Sequence, residues 1–340
     1  IDYMLPAEVS FPATLKRVAV VNNMPDIPDN KLIVSEEEQK KSKNELARLT
    51  NYYNGDAVIT TEALAESLAN ENYFKEVVIC DSALRSKDIN PRESTLSRNE
   101  VLELTQNLDV DFLIALENIQ IRSSRKTSYM PGWGVFLGTV DVKVYPTVRI
   151  YLPNRKGPMV TVNSNDSIFW EETGNSEMSA RSRLISEEDM VKQASEFAGT
   201  VPVKHLLPYW KTANRYLFSG GSVNMRDAAI YAKEENWGKA VELWQQTYET
   251  KKGKQKMYAA YNAALGYEMQ DSIDTALEWA LKAQTLAREK SKTVPQNTSE
   301  IHDGAISYYI FISMYVDELK NRKEGMARLN MQMNRFDDDF

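Results

Sequence analysis

The sequence predicts an α+β protein with two domains. Residues 1–218 read as a mixed α/β domain of β-α-β-α-β order carrying a long antiparallel hairpin, and residues 219–340 as an all-α helical-repeat domain. Three observations carry this reading. Short apolar runs alternate with amphipathic stretches up to residue 116. A strict period-two pattern follows around residues 140–152. Near the C-terminus, small and bulky residues recur at a fixed spacing of 36.

A chain of 340 residues exceeds the usual single domain. With 42% hydrophobic and 26% charged residues it can build an ordinary core. The net charge is −7, from 41 basic and 48 acidic residues that are interspersed along the chain. No basic stripe of the kind that neutralises phosphates is present, which argues against nucleic acid as a partner. Cys80 is the sole cysteine, so an internal disulfide and a cysteine-based metal site are both excluded. The longest apolar stretch, Ile306 to Val316, is interrupted by Ser307 and Ser313 and closed by Asp317 and Glu318. It is too short to span a bilayer.

Val18 to Val21, ended by Asn22-Asn23, reads as a buried strand. Met24 to Asn30 contains two prolines and two aspartates and reads as loop. The charged stretch Ser35 to Thr50 is expected to be a solvated helix. An amphipathic helix starts near Thr60, the expected cap, with Leu64 and Leu68 on one face. Glu76 to Asp81 is the second strand. Ser97 to Leu108 is the second helix, with Val101, Leu104 and Leu108 on one side, and Val110 to Leu116 is the third strand.

Val140, Val142, Val144, Val148, Ile150 and Leu152 share one parity, with polar residues between them. Such alternation specifies a half-buried antiparallel strand. Pro146 removes a ladder donor, so this strand is expected to be bent or at an edge. Asn154 to Gly157 is a turn, and Met159 to Trp170 returns as the partner strand. Ser186 followed by Glu187, Glu188 and Asp189 is an N-cap with acids in the first turn of a helix. Phe218 to Ser222, containing Gly220-Gly221, is the clearest linker and sets the expected domain boundary.

Beyond the linker, Ala228, Tyr231, Trp237 and Ala240 are matched 36 residues later by Ala264, Tyr267, Ile273 and Ala276. A small residue, an aromatic three later, a bulky residue six later and an alanine three later: this resembles the tetratricopeptide repeat. The resemblance implies helix pairs stacked around a continuous core, with a concave surface that holds a protein or peptide. Ala240 and Ala276 are expected where the helices of a pair meet. Tyr231 and Tyr267 belong on the first helices, against Trp237 and Ile273. Asn224 and Asn262 are the expected partner-binding residues, and the resemblance implies that the Asn262 amide holds a partner's backbone.

Catalytic patterns are lacking. His205 and His302, the only histidines, fall in different expected domains. Cys80 ends an apolar strand and reads as core. Gly132-Trp133-Gly134 precedes a strand, so its amides cannot converge on a phosphate, and it reads as a turn. Glu171 and Glu172 are adjacent on a strand and point to opposite faces. No cofactor or metal motif is present, and the chain reads as a non-enzyme.

The order Val18 to Asn23, the helix with Leu64 and Leu68, Tyr73 to Ile79, and Val110 to Ile119 resembles the small α/β domain shared by the N-terminal part of TolB, CsgG and LpoB. That resemblance covers residues 16–198. Pairing such a domain with tetratricopeptide-like repeats resembles an envelope lipoprotein family of Bacteroides and relatives. It implies a non-catalytic adaptor or assembly factor in the periplasm or outer membrane. Its membrane contact would be a lipid on a cysteine upstream of Ile1. Two alternatives stay open at this point. One is a carbohydrate-binding lipoprotein, for which exposed coplanar tryptophans among Trp133, Trp170 and Trp210 would be the sign. The other is an accessory enzyme with a cleft between the domains.

Overall fold

A computed structural model describes residues 1–25, 34–37, 45–86, 95–291 and 304–339. The chain forms two compact units. A sheet unit comprises Ala7–Leu207, and a helical unit comprises Ile1–Pro6 together with Pro208–Phe340. The expected mixed α/β part followed by an all-α part is the architecture found. The units part at Leu207/Pro208, ahead of the glycine pair, and the helical unit includes the first six residues of the chain. The reason is a strand pair: β1 (Asp2–Leu5) is antiparallel to β10 (Tyr209–Thr212), with Asp2 opposite Thr212.

In the sheet unit, β2 (Arg17–Asn22) lies between β5 (Glu76–Cys80) and β6 (Phe112–Met130), parallel to both. The crossovers are α1 (Ala57–Asn70) and α2 (Arg98–Asn107). β5 and β6 flank β2 on opposite sides, so right-handed crossovers place α1 and α2 on opposite faces. Ala19, Val21, Leu113 and Ala115 accordingly pack with Val101 of α2. β6 then runs on as one arm of a long ribbon with β7 (Val135–Tyr151), closed by the turn at residues 131–134. β3 (Val34–Glu37) and β4 (Glu45–Asn54) extend one side, with β4 antiparallel to β6. β8 (Val160–Asn163) and β9 (Asp166–Gly174) pair with the far edge of β7. The parity expected for β7 is observed: Val140, Val142, Val144, Val148 and Ile150 are buried.

Four local expectations are corrected. Residues 35–37 and 45–50 are strand, not helix, because the long β6 offers β4 a ladder, and Thr50, Asn51 and Tyr53 fill buried positions on it. The rest of that stretch lies outside the described residues. Asp56, not Thr60, caps α1, accepting from the Ile59 N–H. Thr60 is instead buried one turn in, where its hydroxyl donates to the Ser195 carbonyl at 2.7 Å. That carbonyl belongs to α4 (Glu187–Thr200), which lies in the chain between the short α3 (Glu177–Arg183) and α5 (Val203–Leu206) and is capped by Ser186 as expected. Pro146 lies in a central strand. Its missing donor coincides with the place where the neighbour of β7 changes from β8 to β9, and with a bulge in β6 between Leu116 and Asn118. Finally, the main partner of β7 is β6, not the Met159–Trp170 return, which is broken into β8 and β9.

The helical unit contains α6 (Val223–Lys233), α7 (Trp237–Thr250), α8 (Gly253–Glu268), α9 (Ile273–Ser291) and α10 (Gly304–Met333). The repeat extends to its turns. α7 and α9 begin at Trp237 and Ile273. Glu235 and Asp271 both adopt left-handed backbone, with φ of 58° and 56°. After α6 the Asn236 N–H donates to the Tyr231 carbonyl, and after α8 the Ser272 N–H donates to that of Tyr267, at 2.8 and 2.9 Å. These are the six-to-one bonds of a Schellman ending. Ala228, Ala240, Ala264 and Ala276 are fully buried, and Tyr231 and Tyr267 pack against the same core. Between β10 and α6, residues 213–222 form neither helix nor strand.

Candidate functional site

Helices α8 and α10 grip a short piece of their own chain. Residues 213–218 extend the β10 ladder at Ala213, whose N–H donates to the Ile1 carbonyl at 2.8 Å. Phe218 then stacks on Tyr258 of α8 with centroids 4.0 Å apart, and meets Tyr261 and Tyr308 edge-on. Asn262, on the same helix, donates to the Phe218 carbonyl at 2.7 Å and accepts from the Phe218 N–H at 3.1 Å. One side-chain amide thus satisfies both backbone groups of a residue, as a neighbouring strand would.

This corrects the expectation for Asn262. It does hold an extended backbone, but the backbone belongs to its own chain, and the residue is 0% exposed. Asn224 sits in the first turn of α6 with partial exposure, and its amide is 3.4 Å from Gln246 of α7. The two asparagines face different surroundings and form no joint site. The stretch before the glycine pair is therefore anchored, and only Ser219 to Gly221 remain exposed between Phe218 and α6.

Arg215 secures the segment at its other end. Its guanidinium forks onto Glu268 of α8 at 2.8 and 2.7 Å and reaches Glu318 of α10 at 3.0 Å. Glu268 is 2% exposed and also accepts from the Tyr315 hydroxyl at 2.8 Å and from Arg322 at 2.5 Å. Glu318 accepts in addition from Tyr3 and from Lys211. Burial opposes the charge on Arg215, but the two carboxylates outweigh it and raise its pKa. Burial likewise opposes ionisation of Glu318, and bonds from Tyr3 and Arg215 overcome that, leaving its pKa below the usual value. Tyr315 is pushed well above its usual range, by burial first and the Glu268 charge second. Such groups are poor proton donors at neutral pH. The cluster joins Arg215 to α8 and α10 by charge-assisted hydrogen bonds. Sequence reasoning missed it because Arg215, Glu268, Glu318 and Arg322 share no local motif.

A second polar cluster lies in the sheet unit, at the carboxyl ends of the parallel strands, where open α/β sheets commonly bind ligands. Glu117 is buried there. It accepts from the Tyr151 hydroxyl at 2.7 Å and from Asn23 at 2.9 Å, with Arg149 3.7 Å away. Arg85 donates to Asn23 at 2.9 Å. Burial raises the Glu117 pKa against these bonds.

The other sequence candidates stay apart. Cys80 packs against the α2-side core, and burial raises its pKa. His205 pairs with Glu8 at 2.8 Å in the sheet unit, and His302 lies outside the described residues. Trp133 is 77% exposed on the ribbon turn, Trp170 is half-buried on β9, and Trp210 belongs to the other unit. Among the described residues no group of three or more His, Cys, Asp or Glu could hold a metal ion. Among them, too, no helix is long and apolar enough to cross a membrane.

Residues 15–218 match the family described as a domain of unknown function, DUF8603, and residues 226–321 match a second such family, DUF6340. The first match spans more than half of the chain, and the protein belongs to the DUF8603 family. No curated protein and no solved structure matches it. The two matches part between residues 218 and 226, whereas the compact units part at Leu207/Pro208. Residues 208–218 thus belong with the first family by sequence and with the helices by packing.

Proposed function

We propose that this protein is a non-catalytic adaptor or assembly factor of the cell envelope, binding a protein or peptide partner through its helical repeats. The observation that carries the reading is the capture of residues 215–218. Aromatic stacking, a side-chain amide that satisfies both backbone groups of a residue, and a carboxylate that forks an arginine are contacts able to hold an extended chain. Here they hold the protein's own segment, so a partner would use the surface that segment completes. That surface is apolar. Tyr216 and Phe311 meet edge-on at its rim, and Ile310 and Met314 stand exposed one turn apart on α10. Neighbouring exposed apolar groups of this kind mark interaction sites. The envelope location rests on the resemblance of the residue 16–198 region to TolB, CsgG and LpoB domains, and the lipid anchor on the resemblance of its pairing with repeats to an envelope lipoprotein family of Bacteroides.

The test is crosslinked capture from the native envelope, using the full chain as bait beside an Ile310→Glu/Met314→Glu variant. A partner retained by the parent and lost by the variant, with unchanged melting of the variant, is the expected result. Equal capture by both, or capture by neither, overturns the reading.

A further inference from the structure

The sheet unit ends on an open strand. β9 runs beside β7 for nine residues in an unbroken register, from Asp166 opposite Val144 to Gly174 opposite Phe136. β7 is its only strand neighbour among the described residues. The direction of its main-chain groups follows from its surroundings. The carbonyls of Pro146 and Ile150 on β7 accept from the N–H groups of Ser164 and Met159, so the even-numbered residues of β7 turn toward β8 and β9. Each of them that meets β9 faces an even-numbered residue there. Main-chain groups alternate in direction along a strand, so Ser167, Phe169, Glu171 and Thr173 turn theirs outward.

The ends of this outward row agree. The Ser167 N–H donates to the Asp166 carboxylate at 2.8 Å, and the Thr173 carbonyl accepts from Arg183 of α3 at 3.0 Å. Between them, the N–H and C=O groups of Phe169 and Glu171, the Ser167 carbonyl and the Thr173 N–H have no partner among the described residues. Sheet edges are ordinarily blunted by proline, lysine, a bulge or short length. β9 has none of these. Phe169 stands on it 65% exposed, and Glu171 and Glu172 are exposed beside it.

Such an edge accepts another strand, and β9 of a second copy fits it. Self-pairing about a two-fold axis is antiparallel, and only outward-facing residues can exchange bonds, so odd-numbered residues must oppose odd-numbered ones. Charge then selects among the registers centred on the edge. With Phe169 opposite Phe169, Glu172 falls opposite Asp166. With Glu171 opposite Glu171, like charges meet at the axis. With Trp170 opposite Trp170, Phe169 faces Glu171, Thr173 faces Ser167, Asp166 faces Gly174, and no like charges oppose each other. In this last register the Ser167 N–H and the Thr173 carbonyl, each already bonded within its own chain, also fall opposite one another. Arg183 of one copy then stands beside Asp166 of the other, with opposite sign.

The geometry points to a homodimer joined by antiparallel pairing of β9 with β9 of a second copy, with Trp170 facing Trp170 across the two-fold axis. The pairing makes about six main-chain bonds and continues the sheet from one copy into the next. One strand pair is a small interface, so the dimer dissociates on dilution. It uses the sheet unit alone and does not depend on the protein-binding reading of the helices.

Sedimentation equilibrium of the full chain from about 1 to about 300 µM tests the assignment, and the parent should pass from monomer to dimer in that range. Glu171→Pro removes an outward N–H and spares the β7 ladder, because proline is tolerated on an edge strand where its nitrogen faces solvent. It should weaken dimerisation by about tenfold or more, since the bond is lost twice by symmetry. Phe169→Glu sets like charges opposite each other and should also weaken it, and adding Glu171→Lys to that variant should restore it. Only the Trp170 register predicts this rescue, and it decides the matter if Glu171→Pro does not fold. In a Cys80→Ser background, Trp170→Cys should give a disulfide-linked dimer on mild oxidation. A parent that stays monomeric at the highest concentration overturns the proposal, as does failure of the charge swap to restore a dimer. A dimer that survives Glu171→Pro but is lost in Ile310→Glu/Met314→Glu also overturns it, by placing the contact on the helical unit.

Discussion

The two units bury their acids in opposite ways. In the sheet unit, Glu117 accepts from two neutral donors, Tyr151 and Asn23, and the Arg149 guanidinium stands 3.7 Å away. In the helical unit, Glu268 receives two guanidinium groups within 2.8 Å. The cores differ in parallel. Strand faces carry Val, Ile, Leu and Phe, whereas the helix contacts are lined by Ala228, Ala240, Ala259, Ala260, Ala264, Ala276, Ala280 and Ala283. Alanine lets helices approach closely but buries little apolar area per residue. The helical unit adds a charge network that ties α8, α10 and the 215–218 segment together. The sheet unit draws its cohesion from apolar layers, and its acid is held mainly by neutral donors.

The sharpest way to break this contrast is to neutralise each acid. Glu268→Gln leaves Arg215 and Arg322 buried without their shared partner and should cost about 3–5 kcal/mol. Glu117→Gln keeps its neutral neighbours and should change stability by about 1 kcal/mol or less. Urea unfolding of both variants measures the difference. Equal losses would show that the network is not special.

Next in size is close packing. Gly266 of α8 lies where an added Cβ would overlap Val241 and come within 3.0 Å of Trp244. Helix propensity alone makes Gly→Ala favourable by about 1 kcal/mol. Gly266→Ala should instead destabilise by about 1–3 kcal/mol through overpacking. Gly199→Ala is its counterpart in the sheet unit, where the new Cβ would sit 2.6 Å from the Thr60 carbonyl oxygen. A gain in melting temperature for Gly266→Ala would mean that α7 and α8 can part without penalty.

Asn262→Ala removes both bonds to the Phe218 backbone inside a buried contact. A loss of about 1–3 kcal/mol is expected, with earlier proteolysis at residues 213–222. Sequence reasoning alone predicts near-neutral stability for this variant, since a groove residue awaiting a partner bears no fold. Unchanged melting would restore that view.

The smallest effects concern pH. The Glu318 pKa is lowered in the fold. Its contribution is present above the unfolded value, about 4.3, and is lost as pH falls through the lower folded value. The Glu117 pKa is raised. Its folded form takes up a proton first, so stability rises as pH falls through the folded value toward about 4.3. Glu318→Gln should therefore lessen acid destabilisation, and Glu117→Gln should flatten the gain just above pH 4.3. Unfolding midpoints across that range distinguish the two slopes by sign.

Much of the fold was legible because its signals are local. The helix with Leu64 and Leu68, the Ser186 cap and the single parity of β7 each depend on residues a few positions apart. Helix pitch, capping and strand pleat act over that range. The repeat resemblance placed Asn262 on a first helix and implied that its amide holds a partner's backbone; in the fold the amide is taken by Phe218 of the same chain.

Local pattern by itself determined the secondary-structure class of each half, the helix pairs and the buried alanines. Tertiary structure decided which edges and charges meet. β4 is strand because β6 is beside it, and β1 joins the helical unit because β10 is its only ladder among the described residues. Arg215 finds Glu268 and Glu318 across 53 and 103 residues of chain. At such separations the contact is set by how the chain closes, and the free energy of a buried charge or an unpaired strand edge depends on the partner that closure supplies.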